Sequence, residues 1–237
     1  MKFKRNIKNK ISKIAQQIIN CDKNCDGVYS NLKEGVIPRG LILETEGRKS
    51  NAKGCIVIGI NPGKASKFEK NYYREKYIEN KGSINYENLL FLWENGWKNK
   101  KPVKNCQYFQ KLRKISNGLG LKGPIIWTNL AKCQNQDPPL QTIRTCVGTY
   151  LKKELELFPS DWPIIAAGRE PYILSACLCP NHIIIGVTHP SERSGRFDDF
   201  FDEDNILYKK FQINLNKLWD GKRGEAIWLA DIRKKKK

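Results

Sequence analysis

Residues 54–63 read GCIVIGINPG, and this stretch determines the expected fold. Four apolar residues, 55–58, lie between glycines, which is typical of a strand buried on both faces of a parallel sheet. Similar short apolar runs follow at residues 124–128, 163–167 and 183–188. We therefore expect four core strands, each followed by a polar or glycine-containing turn.

Helix-length segments separate the later strands, notably residues 140–158 and 170–177. Near the N-terminus, residues 7–19 repeat apolar side chains at helical spacing, which predicts a first helix ending near Asn20. Alternating strands and helices favour a parallel sheet. We predict an α/β fold, a single-domain three-layer α/β/α sandwich with a central, mainly parallel four-stranded sheet.

The chain is strongly basic, since 43 lysines and arginines face 24 acidic residues and give a net charge of +19. This excess favours a polyanionic partner, with nucleic acid first; an acidic membrane surface or solubility alone are the alternatives. One domain is expected over residues 1–232, with the N-terminal helix in residues 1–20 and a basic tail at residues 233–237.

Location and assembly follow from similar arguments. The apolar runs are far shorter than the ~20 residues of a membrane span, and no export signal follows the basic N-terminus. We expect a cytoplasmic, nucleoid-associated monomer that does not engage a membrane. In such a reducing compartment the eight cysteines favour packing, metal ligation or redox chemistry over disulfides.

The residues just after the expected strands carry the functional information, because parallel sheets bind ligands beyond the carboxyl ends of their strands. Asn61-Pro62-Gly63 follows the first strand and Asn129 ends the second. Gly168-Arg169 follows the third, and His189-Pro190-Ser191 follows the fourth. An Asn-Pro-Gly turn alone is ordinary, so its meaning depends on the other motifs.

Together these motifs resemble those of the uracil-DNA glycosylase superfamily. Residues 59–63, GINPG, resemble its first catalytic motif in the asparagine form, and residues 188–191, THPS, look like its second. Residues 127–133, WTNLAKC, are similar to the Thr-Asn-x-x-Lys-Cys segment of the iron-sulfur family 4 enzymes. The resemblance continues at residues 146–155 and 167–169 and covers most of the chain from Cys21 to Arg196. It implies a DNA glycosylase that flips out one nucleotide and hydrolyses its N-glycosidic bond.

The resemblance also assigns roles to individual side chains. Asn61 is expected to position the attacking water, and His189 to donate a hydrogen bond to the carbonyl oxygen of the departing base. Asn129 offers an amide donor and acceptor that suit the edge of a pyrimidine, although it could instead only cap the next segment. The remaining predicted base contacts are the motif residues Gly59, Pro62 and Gly63 and the stacking candidates Tyr73 and Tyr72, for which packing in the core is the alternative.

Contacts with the DNA strand are expected mainly around the second motif. Arg193 occupies the position of the family's wedge, which fills the gap left by the flipped base. Further residues near the two motifs are candidates for binding the phosphates: Ser191, Ser194, Arg196 and Lys64. For each of them, the alternative is a solvated surface position without a DNA contact.

The family 4 resemblance further implies a structural 4Fe-4S cluster. Cys21, Cys25, Cys133 and Cys146 occupy the places of its four ligands. The first two are separated by three residues where the family has two, and the second two are also spaced differently. Zinc binding and plain buried thiols therefore remain alternatives.

The excised base is left open by the sequence. Asparagine in the first motif, where family 4 carries glutamate, is compatible with strong uracil activity. Residues 64–80, however, are interpreted as a long basic loop, unlike the tight loop of uracil-specific enzymes. We therefore expect uracil or an enlarged, modified pyrimidine, in base-excision repair or in defence against foreign DNA. The alternative function is a catalytically inactive DNA-binding module of the same fold.

Overall fold

The computed structural model describes residues 5–98, 101–134, 138–190 and 226–228. Five of the seven α-helices among these residues have ten or more residues, and strands lie between most of them. In chain order they are α1 (Arg5–Ile19), α2 (Lys67–Glu79), α3 (Tyr86–Asn95), α4 (Gln107–Gly118), α5 (Leu140–Cys146), α6 (Lys152–Leu155) and α7 (Arg169–Leu178), with 3-10 turns at Leu32–Glu34 and Val103–Asn105 and a π-helical turn at Val147–Leu151.

The strands form one large sheet and one small hairpin. Their bounds are β1 (Ile42–Glu44), β2 (Cys55–Gly59), β3 (Trp97–Lys98), β4 (Lys101–Pro102), β5 (Ile125–Asn129), β6 (Ile164–Ala167), β7 (Ile184–Val187) and β8 (Ala226–Trp228). The large sheet has the strand order β1-β5-β2-β6-β7-β8, and β3 pairs with β4 antiparallel.

All four predicted strands are confirmed as β2, β5, β6 and β7. Parallel pairing sets Ile56 opposite Ile164 and Ile164 opposite Ile184, and β8 adds a further parallel strand beside β7. The protein is thus a mixed α/β chain with a mostly parallel sheet. The prediction of a four-stranded sheet was wrong, since β1 and β8 enlarge it to six strands. Each of these has only three residues, too few for a recognisable apolar pattern.

The described chain forms two compact units, each assembled from three separate segments. The first unit takes its residues from Met1–Ile42, Ile60–Cys106 and Trp127–Phe158. The second takes its residues from Leu43–Gly59, Gln107–Ile126 and Pro159–Lys237. The single domain over residues 1–232 stays a prediction.

Helix α1 provides one face of the core of the first unit. The predicted apolar stripe is confirmed, because Ile11, Ala15, Ile18 and Ile19 are buried. Gly40 approaches the helix so closely that a Cβ on it would lie 3.0 Å from the Cα of Ala15. A side chain there would require the helix to shift by a few tenths of an ångström, so the small glycine allows this close approach.

Residues 64–80 are not a loop, contrary to the sequence interpretation. Ser66 caps a helix of thirteen residues, α2, by accepting a hydrogen bond from the backbone N–H of Glu69 at 3.2 Å. The helix ends before Asn80, and Lys81 takes the left-handed conformation with φ 51°. The lysine-rich composition obscured the Ser-x-x-Glu signature of a helix start.

The helix predicted for residues 140–158 is confirmed as far as Leu155, but it is not continuously α-helical. The π-helical turn Val147–Leu151 separates α5 from α6. Such turns insert an extra residue and shift the side chains that follow around the axis. The turn begins directly after Cys146, one of the predicted cluster ligands.

The core of the second unit is the apolar sheet. Strands β2, β6 and β7 are buried along their whole length, as expected for parallel strands covered on both faces. In the described part of the chain, no helix is both long and apolar enough to cross a membrane.

Candidate functional site

The first motif lies in an irregular turn directly after β2. Asn61 is half-buried and Pro62 is buried, whereas Gly63 and Lys64 are exposed. A Cβ built on Gly63 would meet no atom within 4 Å, so the backbone here borders open space. A substrate could therefore approach this backbone closely.

A backbone hydrogen bond joins this turn to the end of β5. The N–H of Ala131 donates to the carbonyl oxygen of Ile60 at 2.9 Å. Nearby, the N–H of Ala65 donates to the side-chain oxygen of Gln134 at 2.8 Å, in a buried position. The residue before Asn61 is thus bonded to the segment that begins two residues after Asn129, within the first unit.

Directly after Asn129, the chain buries a charged side chain. Lys132 is 1% exposed, and its ammonium contacts three oxygens at 2.7 Å: Thr128 Oγ1, the carbonyl of Asn129 and Glu154 Oε2. Thr128 Oγ1 also donates to Glu154 Oε2 at 2.7 Å. We call Thr128, Lys132 and Glu154 the buried polar triad.

Sequence reasoning placed Lys132 and Glu154 in family-like segments but assigned them no role. A lysine inside the otherwise apolar run around Leu130 and Ala131 was the available signal. Its partner could not be identified, because Glu154 lies 22 residues further along the chain.

The predicted stacking residues differ in accessibility. Tyr73 is 2% exposed, and burial raises the pKa of its hydroxyl strongly. Tyr72 is half-buried, and its ring stacks on Phe91 at 5.5 Å with an interplanar angle of 11°. Tyr73 therefore packs in the core of the first unit, and stacking of a base on either ring stays a prediction.

His189 belongs to the second unit and is exposed. Its ring centroid lies 5.5 Å from that of Tyr108, at 45°. Gly168 lies close to His189, since a Cβ placed on this glycine would lie 3.9 Å from the Cβ of His189. Its backbone has a φ of 115°, which favours glycine. The other histidine, His182, is buried with Nδ1 3.3 Å from the carbonyl oxygen of Trp162, which fits a packing role.

The DNA-gripping candidates of the second motif lie beyond Pro190. Ser191, Arg193, Ser194 and Arg196 fall outside the described residues. Lys64, the remaining candidate, is exposed beside the first motif in the first unit.

The four predicted cluster ligands all belong to the first unit. Cys133 and Cys146 are buried, and Cys21 and Cys25 are half-buried. Burial raises the pKa of Cys133 to about 12, and the charges of Cys146, Cys21 and Cys25 add to the rise. Burial likewise raises the pKa of Cys25, with further contributions from Cys146 and Cys21. The four thiols therefore lie within electrostatic range of one another.

The raised pKa values keep these cysteines as neutral thiols, and the cationic core of a bound iron-sulfur cluster would favour their thiolate form. Burial raises the pKa of the Cys146 thiol, and the backbone of Lys132 acts in the opposite direction. Within the described residues, no three histidine, cysteine or acidic side chains form a group that could hold a metal ion as they stand. Of the other cysteines, Cys55 is fully buried and Cys177 is exposed.

The comparisons with known proteins add no family to this description. No protein-family model matches the chain, and no curated protein matches its sequence.

Proposed function

We propose that this chain is a DNA glycosylase that flips uracil or a modified pyrimidine out of DNA and hydrolyses its N-glycosidic bond, leaving an abasic site. The observation that carries the proposal is the hydrogen bond between Ala131 and Ile60, which joins the turn of Asn61 to the strand end of Asn129. The two amide side chains needed for water activation and base reading thus belong to adjoining segments. The proposal includes the three-layer sandwich of the uracil-DNA glycosylase superfamily, which the mostly parallel sheet supports.

The chemistry explains why amides and a histidine suffice. Breaking the glycosidic bond places negative charge on the base and positive charge on the sugar, so fixed dipoles stabilise the transition state. Asn61 orients the attacking water towards the sugar carbon. His189 donates to the base carbonyl oxygen and stabilises the charge that the leaving base acquires. Asn129 pairs with the edge of the base and so selects a pyrimidine.

DNA is the proposed partner, and phosphate contacts supply most of its affinity. The net charge of +19 and the exposed Lys64 beside the first motif support this partner. Binding should weaken steeply with salt, because each neutralised phosphate releases counterions. The activity would serve base-excision repair or defence against foreign DNA, according to which base is released.

A panel of oligonucleotides tests the proposal directly. Each carries one candidate base, uracil or an enlarged pyrimidine, in single-stranded or double-stranded form. After incubation, alkali cleaves the strand wherever a base has been released. Strand breaks with at least one base are expected, and intact strands with every base would refute the enzyme.

Asn61→Ala separates the glycosylase from an inactive DNA-binding module. Loss of the water-orienting amide should lower kcat about 100-fold, with DNA affinity nearly unchanged. Asn95→Ala is the matched control, because Asn95 is exposed at the end of α3 and its amide donates to the carbonyl of Phe91 in its own helix. Equal base release by both variants would contradict the role of Asn61.

We further propose that Cys21, Cys25, Cys133 and Cys146 hold a structural 4Fe-4S cluster. The cluster would tie the N-terminal segment to the strand end after β5 and takes no part in bond cleavage. Iron and sulfide analysis of anaerobically purified protein should match the cluster stoichiometry. Cys133→Ala should lose the iron, whereas Cys177→Ala should keep it, since Cys177 is exposed in the second unit. Zinc in place of iron would overturn this assignment.

A further inference from the structure

The burial of Lys132 requires a physical reason. Removing an ammonium group from water costs several kcal/mol unless an opposite charge and hydrogen bonds replace the lost hydration. Lys132 is 1% exposed and its partner Glu154 is also 1% exposed, so neither charge benefits from solvent. An apolar pair of similar size would often be at least as stable in such a place. Stability alone therefore does not account for this pair.

The contacts of Lys132 fix the end of β5. The ammonium group has three N–H donors, and each has an acceptor at 2.7 Å in Thr128, Asn129 or Glu154. One of these acceptors is the main-chain carbonyl oxygen of Asn129, the residue proposed to read the base. Holding that carbonyl sets the peptide plane after Asn129 and limits how its side chain can turn.

The backbone of Lys132 makes contacts on its other side. Its carbonyl oxygen accepts a hydrogen bond from the N–H of Arg39 at 2.8 Å. Cys133 is the next residue in the chain and belongs to the cysteine group, as we call Cys21, Cys25, Cys133 and Cys146. The backbone of Lys132 thus continues directly into the cysteine group, and its side chain is bonded to the strand end.

Glu154 pairs with Lys132, but its own hydrogen bonds are incomplete. Its Oε2 accepts from both Lys132 and Thr128, whereas its Oε1 has no hydrogen-bond partner among the described residues. A buried acceptor without a partner costs free energy. The carboxylate is oriented so that one oxygen serves the ammonium and the hydroxyl at the strand end.

We propose that Lys132 and Glu154 are positioning residues for base recognition, which act by fixing the main chain of Asn129 against the cysteine group. The inference rests on the proposed glycosylase function and adds a specificity role to it. Neither residue touches the nucleotide. Both act through Asn129, so their effect on the reaction should vanish when the Asn129 amide is absent.

The test uses the full chain with both charges replaced together, Lys132→Met with Glu154→Met. This replacement leaves no unpaired buried charge and keeps side chains of similar length. We expect the folded variant to lose about 10- to 100-fold in kcat/KM for the released base, as a misplaced contact typically does. Affinity for an oligonucleotide without a target base should stay unchanged, as should the iron content.

The decisive comparison repeats the replacement in an Asn129→Ala background. If the pair acts through Asn129, the double replacement then changes kcat/KM by less than about twofold, because the amide that the pair positions is already absent. A merely structural role would instead multiply the two losses. Each of three results would overturn the inference. These are multiplied losses, a wild-type kcat/KM in the double Met variant, and a wild-type kcat/KM in Asn129→Ala alone.

Thr128→Val provides a second variant in case the Met pair does not fold. It removes one acceptor of the ammonium and one donor to Glu154 while keeping the shape of the side chain. A smaller loss of kcat/KM that also disappears in the Asn129→Ala background is expected. If wild-type protein releases no base from any oligonucleotide, the proposed function fails and this inference falls with it. An active wild type with additive variants would refute the inference alone.

Discussion

Each unit of the protein holds a basic side chain by several hydrogen bonds, and the two side chains differ in burial and in their partners. In the second unit, Arg48 is half-buried and donates to the carbonyl oxygens of Gly123, at 2.7 Å, and Leu121. It also donates to Asn117 Oδ1 at 2.7 Å and to Ser116 Oγ at 3.1 Å. All four acceptors are neutral and lie in one short stretch, from the end of α4 to the turn before β5.

Lys132 in the first unit is fully buried and binds a carboxylate instead. Its acceptors come from two distant segments, and one of them is the strand end of Asn129. Arg48 therefore stabilises a turn, because neutral acceptors around a partly hydrated guanidinium need no charged partner. A buried ion pair beside a strand end is thus more informative about function than a half-buried cation that binds only neutral acceptors.

Lys132→Met alone should produce the largest effect on stability. It leaves the carboxylate of Glu154 buried without a counter-charge, so we expect a loss of about 3–5 kcal/mol in the free energy of unfolding. Lys132→Met with Glu154→Met should recover most of this loss. Urea unfolding of the three proteins measures both quantities. Equal stabilities of the single and double variants would show that the charges do not depend on each other.

Arg48→Ala should come next, with a loss of about 2–3 kcal/mol from several broken hydrogen bonds. Base release per folded molecule should not change, because all its partners lie between the end of α4 and the turn before β5. Lys49→Ala is the matched control: Lys49 is exposed, and its backbone N–H keeps its bond to Lys122, so its effect should stay within about 0.5 kcal/mol. A lower kcat in folded Arg48→Ala would break the proposed distinction between the two cations.

Cys55 lies in the apolar strand β2 and interacts electrostatically with Arg48. It should make the stability of the protein depend on pH. Burial raises the pKa of its thiol from 9.0 to about 12, against a smaller lowering by Arg48. The folded state keeps the proton while the unfolded state loses it above pH 9. The stability contribution is thus complete below that pH and falls by about 1.4 kcal/mol per pH unit up to about pH 12.

Cys55→Ala should remove this part of the alkaline slope. Urea unfolding at pH 8 and pH 10 measures it, since the cavity left by the sulfur affects both values equally. Identical slopes for the two proteins would contradict the assignment to Cys55.

The smallest effect on stability is expected for Gly63→Ala in the first motif. A Cβ there meets no atom within 4 Å, and the same is true at Gly148 in the π-helical turn. Both alanine variants should stay within about 1 kcal/mol of the wild type. Only Gly63→Ala should reduce base release, because its methyl group would occupy the space that a nucleotide needs. Equal activity of the two variants would place the nucleotide elsewhere.

Much of the fold was predictable from local patterns. The apolar runs of β2, β5, β6 and β7 and the stripe of α1 each report burial within a few neighbouring residues. The three-residue strands β1 and β8 were missed because they carry too little pattern. Helix α2 was taken for a loop because charged and aromatic residues concealed its single cap at Ser66.

In the candidate site, too, some residues were predictable from local patterns and others were not. The motif residues Asn61, Asn129 and His189 could be proposed from their places after strands and from resemblance. The core position of Tyr73 depends on packing that spacing along the chain does not report, and so does the pairing of Lys132 with Glu154.

The sequence by itself determined the strands, the polar turns that follow them and the basic character of the chain, because these depend on the chemistry of neighbouring residues. Only the tertiary structure decided that the turn of Asn61 is bonded to the strand end of Asn129 and that Lys132 finds Glu154. Such contacts join residues that are distant in the chain. Their geometry is fixed by packing and by the need to pair every buried charge, which no local pattern records.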